Sequence, residues 1–117
     1  MNDPAAEPTA VEYVDWLLKY MLRVSRLKTT IIDTRRALPG SEKAGADDGP
    51  PCLPSVERVL NRLKVLSGLS PVRYPQAVEA GFERPRATCT LVVATRFLDD
   101  ANASTCAIRL RIRAKQA

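Results

Sequence analysis

The chain contains no histidine among its 117 residues. Histidine is the commonest general base near neutral pH and a frequent metal ligand, so its absence removes the Ser-His and Cys-His catalytic arrangements and the zinc sites that need imidazole. The five glycines include no GxGxxG, GxxxxGKS or GxxxxGKT order, which excludes the usual phosphate-binding loops. Three scattered cysteines cannot complete a tetrahedral thiolate site. We therefore expect no enzymatic activity, no metal and no cofactor.

Long apolar runs are also missing, since no stretch approaches the roughly 20 apolar residues that a membrane-spanning helix needs. The first residues of the sequence lack the apolar segment of a secretory signal. The three cysteines are odd in number and form no CxxC pair, which argues against a disulfide framework. Unpaired thiols are typical of reducing compartments. We therefore expect an intracellular protein of the cytoplasm or nucleus, with no membrane partner.

The spacing of apolar residues predicts a long helix over residues 9–38, after a disordered leader at residues 1–8. No glycine or proline interrupts this stretch, and Pro39 and Gly40 end it. The apolar residues recur at heptad spacing, which is typical of coiled-coil helices. The residues at heptad positions a and d are predicted to form a helix association surface: Tyr13, Leu17, Tyr20, Val24, Leu27, Ile31 and Leu38.

The heptad stripe can pack either within one monomer or against a second chain. A helix of this length would extend about 45 Å, whereas a chain of this size has a radius of gyration of about 13 Å. Aromatic side chains are also scarce, at six, so the core of one chain is thin in large rings. Both observations favour intermolecular packing, with a second copy or a helical protein partner.

A second helix is predicted after residues 39–54, whose three glycines and four prolines are typical of a flexible linker. Ser55 suits the N-cap, one face from Val56 to Leu66 is apolar, and Gly68 suits the C-cap. The linker is long enough to return the chain along the first helix. We therefore expect a coiled-coil-like antiparallel helical hairpin, which packs with the rest of residues 55–117 as one domain.

Two C-terminal segments predict an antiparallel β-hairpin or small sheet, so the predicted fold class is α+β. Residues 88–97 are rich in β-branched and apolar side chains, and residues 105–115 alternate apolar with basic ones after a turn at residues 99–102. If Val93 lies opposite Ile108, the apolar residues share one face, which must rest on the helices. Residues 69–85 contain three prolines and give no definite prediction.

Basic side chains dominate the other face of the predicted hairpin. The members of this basic face are Arg86, Arg109, Arg111, Arg113 and Lys115. Cations at alternate positions of a strand repeat about every 6–7 Å, close to the phosphate spacing of a nucleic-acid strand. Residues 86–117 hold six basic groups against two acidic ones, so much of the net charge of +5 is concentrated there. The same pattern is typical of a solvated face whose cations protect a sheet edge from aggregation.

These patterns predict a non-catalytic assembly subunit that associates through its coiled-coil-like helix with a second copy or a helical protein partner. The alternative is a small nucleic-acid-binding or nucleoprotein-assembly protein that uses the basic strand face. An acidic protein surface is a further partner that this face would attract.

Overall fold

A computed structural model describes residues 8–24 and 29–114 of the chain. In chain order the elements are α1 (Pro8–Arg23), β1 (Thr29–Asp33), a short 3-10 helix (Ser41–Lys43), α2 (Val56–Leu66), β2 (Val78–Pro85), β3 (Cys89–Asp99) and β4 (Ser104–Ala114). The four strands form one antiparallel sheet in the order β1-β4-β3-β2, so β1 and β2 are its edges. This confirms the predicted α+β class.

The single helix predicted over residues 9–38 is wrong. α1 ends at Arg23, and residues 29–33 form strand β1 against β4. The run Thr29-Thr30-Ile31-Ile32 is β-branched throughout, and such side chains lose χ1 freedom in a helix but pack well on a sheet. Asp33 then turns the chain, because its carboxylate accepts a hydrogen bond from the backbone N–H of Arg35 at 2.8 Å.

One face of α1 supplies the centre of the core. Its buried side chains recur at three- and four-residue intervals, as on the covered face of an amphipathic helix: Ala10, Tyr13, Val14, Leu17, Leu18 and Met21. They pack against α2 and against side chains of β1, β3 and β4. The helix begins at Pro8, whose fixed φ suits a first helical position. The leader predicted at residues 1–8 therefore lies outside the described residues, apart from this proline.

The second helix is confirmed together with its two caps. The Ser55 side-chain oxygen accepts a hydrogen bond from the backbone N–H of Arg58 at 3.3 Å. Gly68 adopts a left-handed φ of 79° after the last turn, and the Leu69 N–H donates to the Lys64 carbonyl at 2.8 Å in a Schellman arrangement. α2 lies beside α1 on the same face of the sheet, but the packing does not show a coiled-coil hairpin.

Residues 39–54, predicted as a flexible linker, contact α1. The Tyr13 hydroxyl donates to the Pro39 carbonyl at 2.6 Å, and the Trp16 indole N–H donates to the Asp48 carbonyl at 3.2 Å. Gly40 has a φ of 83° and approaches Trp16 so closely that a Cβ atom would overlap the indole ring. Glycine therefore suits both the backbone and the space at this position.

β3 and β4 form the predicted hairpin, but their register differs from the predicted one by two residues. Val93 pairs with Leu110 and not with Ile108. The turn explains the difference, because the Asp100 carboxylate accepts a hydrogen bond from the Ala103 N–H at 2.8 Å and stabilises a loop over residues 100–103. A shift by an even number of residues keeps the same side chains on each face.

A buried ion pair joins α2 to the end of β3. Lys64 and Asp99 are 5% and 4% exposed, and their Nζ and Oδ2 atoms lie 3.1 Å apart. The Lys64 ammonium also donates to the Val72 carbonyl at 2.7 Å, and the carboxylate accepts from the Tyr74 N–H at 2.7 Å. Burial raises the pKa of Asp99, but hydrogen bonds from Ser104, Tyr74 and Lys64 outweigh it and hold that pKa below its ordinary value. The pair therefore also fixes the loop between α2 and β2.

Candidate binding face of the sheet

The two faces of the sheet differ in what covers them. The inner face packs on α1 and α2 through Leu91, Phe97 and Ile108, among others. We name the opposite side the outer face, and the described helices do not cover it. Alternate strand positions supply its residues: Thr29, Ile31 and Asp33 of β1; Thr105, Ala107, Arg109, Arg111 and Arg113 of β4; Thr90, Val92, Ala94, Arg96 and Leu98 of β3; Glu79, Gly81, Glu83 and Pro85 of β2.

Small and apolar side chains occupy the middle of the outer face. Ala94 and Ala107 lie on the two central strands, and Ile31, opposite Ala107, is 57% exposed. Two shallow depressions of about 320 Å³ and about 340 Å³ open here, and both are lined by Arg96 and Ala107. Such depressions can accept apolar side chains of a partner.

Two carboxylates of the outer face are held by bidentate ion pairs. Arg113 donates to the two Glu83 oxygens at 2.7 and 2.9 Å. Arg35, which follows β1, donates to the two Asp33 oxygens at 2.8 and 3.1 Å. The hydrogen bonds from Arg35 lower the pKa of Asp33 to about 2, and those from Arg113 lower the pKa of Glu83. Both carboxylates therefore stay ionised at neutral pH and cancel the charges of their arginines.

Three other arginines of this region are not held in salt bridges. Arg36, Arg109 and Arg111 form no ion pair with any carboxylate in the described part of the chain. Arg36 and Arg109 each line one of the two depressions. Arg96 lies 4.0 Å from Glu79, at the outer limit of an ion pair. Arginines therefore outnumber carboxylates around the apolar centre of the outer face.

The structure brings together only part of the predicted basic face. Arg109, Arg111 and Arg113 lie side by side along β4, as predicted. Arg86 lies in the turn between β2 and β3, where its N–H donates to the carbonyl of Cys89 at 2.8 Å. It lines a cleft of about 360 Å³ against α1, on the helix side of the sheet, because residues 86–88 turn the chain from β2 into β3 instead of extending the hairpin beside β4. Lys115 lies outside the described residues.

The residues predicted to form a helix association surface do not form one surface. The core of the chain buries three of them: Tyr13, Leu17 and Leu38. Tyr20 stacks on the Trp16 indole with ring centroids 4.9 Å apart, and Val24 follows the end of α1. Ile31 lies on the outer face, and Leu27 is outside the described residues. The residues separate because the chain is helical up to Arg23, forms strand β1 at residues 29–33 and then turns toward Leu38.

The sequence reasoning missed Arg96, Arg36 and the exposed Ile31 as members of this face. Arg96 had a local signal, because Ala94, Arg96 and Leu98 alternate with the apolar residues of β3 that point inward. Ile31 and Arg36 had none, since their place on the outer face depends on pairing between β1 and β4, which are more than 70 residues apart in the chain.

The described residues offer few candidates for metal binding, for crossing a membrane or for thiol chemistry. In the described ranges, no group of three or more cysteine and acidic side chains is arranged to hold a metal ion. No described helix has both the length and the apolar character needed to cross a bilayer. Burial raises the pKa of the Cys106 thiol to about 12, so it stays protonated at neutral pH.

The chain matches no protein-family profile, no curated protein and no solved structure.

Proposed function

We propose that this protein is a non-catalytic interaction subunit that binds an acidic polypeptide on the outer face of its sheet. One observation carries the proposal: Arg36 and Arg109, which are in no salt bridge with a described carboxylate, line the depressions around an exposed apolar centre, and Arg111 follows Arg109 along β4 on the side of the sheet opposite the helices. A partner segment with carboxylates on both sides of an apolar side chain would complement both features.

The outer face takes the place of the helix as the association surface. Tyr13 and Leu17 are completely buried in the core of their own chain, so contact with a second copy or a helical partner through them would require unfolding. Ile31, also predicted as an association residue, is 57% exposed on the outer face. Association through a sheet therefore agrees better with the burial of these side chains than association through a coiled coil.

A non-catalytic role agrees with the ionisation of the outer face. General base catalysis requires a group whose pKa lies near the working pH. The pKa values of Asp33 and Glu83 are lowered by their arginine partners, which makes both carboxylates weak bases. The remaining polar groups of this face include the hydroxyl of Thr29, which lies beside Arg109 in the sheet. These groups suit recognition of an anion rather than proton transfer.

The apolar centre of the outer face and the absence of aromatic rings there favour a protein over nucleic acid. All six aromatic residues of the chain fall in the described ranges, and none lies on the outer face. Sites for single-stranded nucleic acid usually stack bases on aromatic rings. The exposed Ile31 and the small side chains of Ala94 and Ala107, in contrast, match aliphatic side chains of a polypeptide.

Nucleic acid is nevertheless a second candidate, favoured by the spacing of two arginines. Arg109 and Arg111 occupy alternate positions of β4, so their Cα atoms lie about 6–7 Å apart. Neither is in a salt bridge with a described carboxylate, and the hydroxyls of nearby threonines can donate to phosphate oxygens. An oligonucleotide therefore belongs in the test of function.

Replacing Arg109 and Arg111 together by glutamine is expected to weaken binding of an acidic probe peptide about tenfold, since each exposed charge pair contributes up to about 1 kcal/mol. The probe is a capped nine-residue peptide with valine at its centre, threonine at every second position and glutamate at the others. Fluorescence anisotropy of the labelled peptide at low ionic strength measures the affinity, because salt screens exposed charges.

The matched control replaces Lys19 and Arg23, two exposed cations of α1, by glutamine. It removes the same charge from another surface, and we expect less than about a twofold change in affinity. Equal losses in the two double variants, or no loss in either, would contradict the proposal. Binding of single-stranded oligothymidylate that depends on Arg109 and Arg111, without binding of the peptide, would favour the second candidate.

A further inference from the structure

We infer that an acidic extended segment of the partner binds as a fifth strand along the free edge of β1. This inference rests on the proposed function, because it specifies how the acidic partner docks. β1 pairs with β4 on one side, and no described strand pairs with its other side. Free edges of sheets bind extended peptides through backbone hydrogen bonds, with side-chain contacts giving specificity.

The register shows which backbone groups point to the free edge. The Thr34 N–H donates to the Ser104 carbonyl at 3.0 Å. These two residues follow the last pair of the β1–β4 ladder, Asp33 and Thr105, so they continue it as a hydrogen-bonded pair. Hydrogen-bonded pairs alternate along an antiparallel ladder. The N–H and C=O groups of Thr29, Ile31 and Asp33 therefore point away from β4. The Asp33 carbonyl accepts from a backbone N–H in the following turn, so the groups open to an added strand are those of Thr29 and Ile31 and the N–H of Asp33.

The side chains of β1 leave this edge unprotected. Sheet edges are usually protected from pairing by lysine, proline, bulges or inward-pointing charges. The first four residues of β1 are two threonines and two isoleucines. Ile31, at the centre of the strand, is 57% exposed and lines one of the depressions of the outer face. An added strand would cover this side chain and extend the apolar centre.

The opposite edge of the sheet is protected. The Arg86 N–H donates to the Cys89 carbonyl, and this pair continues the register of the β2–β3 ladder. By the same alternation, the outward backbone groups of β2 belong to Glu79, Gly81, Glu83 and Pro85. Proline has no N–H to donate, and the carboxylate of Glu79, which is 82% exposed and only weakly paired with Arg96, would repel an acidic segment. The two edges therefore differ, and only the edge at β1 fits an acidic strand.

Charge at both ends of β1 defines the segment that fits. An added strand would lie about 5 Å from β1 and about 10 Å from β4. A glutamate beside Thr29 could then reach Arg109 across that small side chain, since Thr29 and Arg109 are direct neighbours in the sheet. At the other end of β1, Arg35 already neutralises Asp33, and Arg36 supplies a further cation beside the same depression. The fitting segment therefore has an apolar residue beside Ile31 and a glutamate or aspartate two residues away on each side.

Charge also favours this segment over a second copy of the chain. Two copies paired through β1 would place two positively charged outer faces edge to edge. The chain carries a net charge of +5, so such an arrangement is opposed by repulsion, whereas an acidic segment is attracted.

The test uses two methylated forms of the acidic probe peptide. In one form the amides of the central valine and of the nearest glutamates are N-methylated, which removes the donors that would face β1. In the other form the amides of the threonines, which would point to solvent, are N-methylated. Both forms keep every side chain and charge. We expect the first form to lose at least tenfold in affinity and the second to bind within about threefold of the parent, whose Kd should be below about 1 mM.

The outcomes separate this inference from the proposed function. Equal affinities of the two methylated forms overturn strand addition, whether both bind or neither does. If binding then still depends on Arg109 and Arg111, the proposed function stands without it. If the parent peptide does not bind, both fail. Sedimentation of the protein alone tests whether a second copy of the chain occupies the free edge of β1. A dimer that the parent peptide cannot dissociate would overturn the inference.

Discussion

Replacing Asp99 with alanine is expected to lower the free energy of unfolding by about 3–5 kcal/mol. The change leaves the Lys64 ammonium, which is 5% exposed, without its carboxylate. It also removes the acceptor of the Tyr74 N–H. The hydrogen bond from Lys64 to the Val72 carbonyl remains, but a neutral carbonyl does not neutralise a buried cation. Urea denaturation followed by circular dichroism measures the loss.

The control for this variant replaces both members of the pair, with Lys64→Met and Asp99→Leu together. Buried pairs replaced by apolar side chains of similar volume are often neutral in stability, because desolvation of the two charges offsets their attraction. We therefore expect the double variant to regain most of the stability that Asp99→Ala loses. An Asp99→Ala protein that unfolds at the same urea concentration as the parent would show that the pair is not buried.

Replacing Leu17 with alanine is expected to lower the free energy of unfolding by about 2–5 kcal/mol, whereas Ile31→Ala should cost less than about 1 kcal/mol. Leu17 is completely buried between the helices and the sheet, so its truncation leaves a cavity in the core. Ile31 is 57% exposed, so its truncation removes little buried surface. Thermal and urea denaturation of the two variants measure the difference.

This pair of variants separates two interpretations of the same sequence. In the heptad interpretation, Leu17 and Ile31 both occupy a positions of one helix, and their truncations would have similar effects. In the structure they lie on different elements, α1 and β1, and on opposite sides of the sheet. Equal losses of stability in Leu17→Ala and Ile31→Ala would contradict the helix-then-strand arrangement.

Features with local causes could be predicted from the sequence. α2 was predictable because Ser55 and Gly68 cap its two ends within the segment itself. The β3–β4 hairpin was predictable because strict alternation and a turn cluster lie next to each other in the chain. The arginine row of β4 follows from that alternation alone.

Features that depend on distant pairing could not be predicted. No glycine or proline separates α1 from β1. β1 is also so short that the apolar side chain of Ile31 fits a heptad position as well as it fits a strand. The β-branched run at residues 29–32 was the one local sign of the change. β1 joins the sheet only through β4, at the far end of the sequence. The candidate site was therefore predictable as a basic strand, but not as a face with an apolar centre and a free edge.

The outer face and its free edge both require β1 to lie beside β4. Ile31 and Ala107 are directly opposite each other there, in a non-hydrogen-bonded pair whose Cα atoms approach to about 4.5 Å. The most direct measurement is the nuclear Overhauser effect between their Hα protons in the labelled protein. A strong cross-peak is the predicted result. Its absence, together with helical contacts between each residue and the third one following it through residues 29–33, would contradict the strand and the binding face built on it.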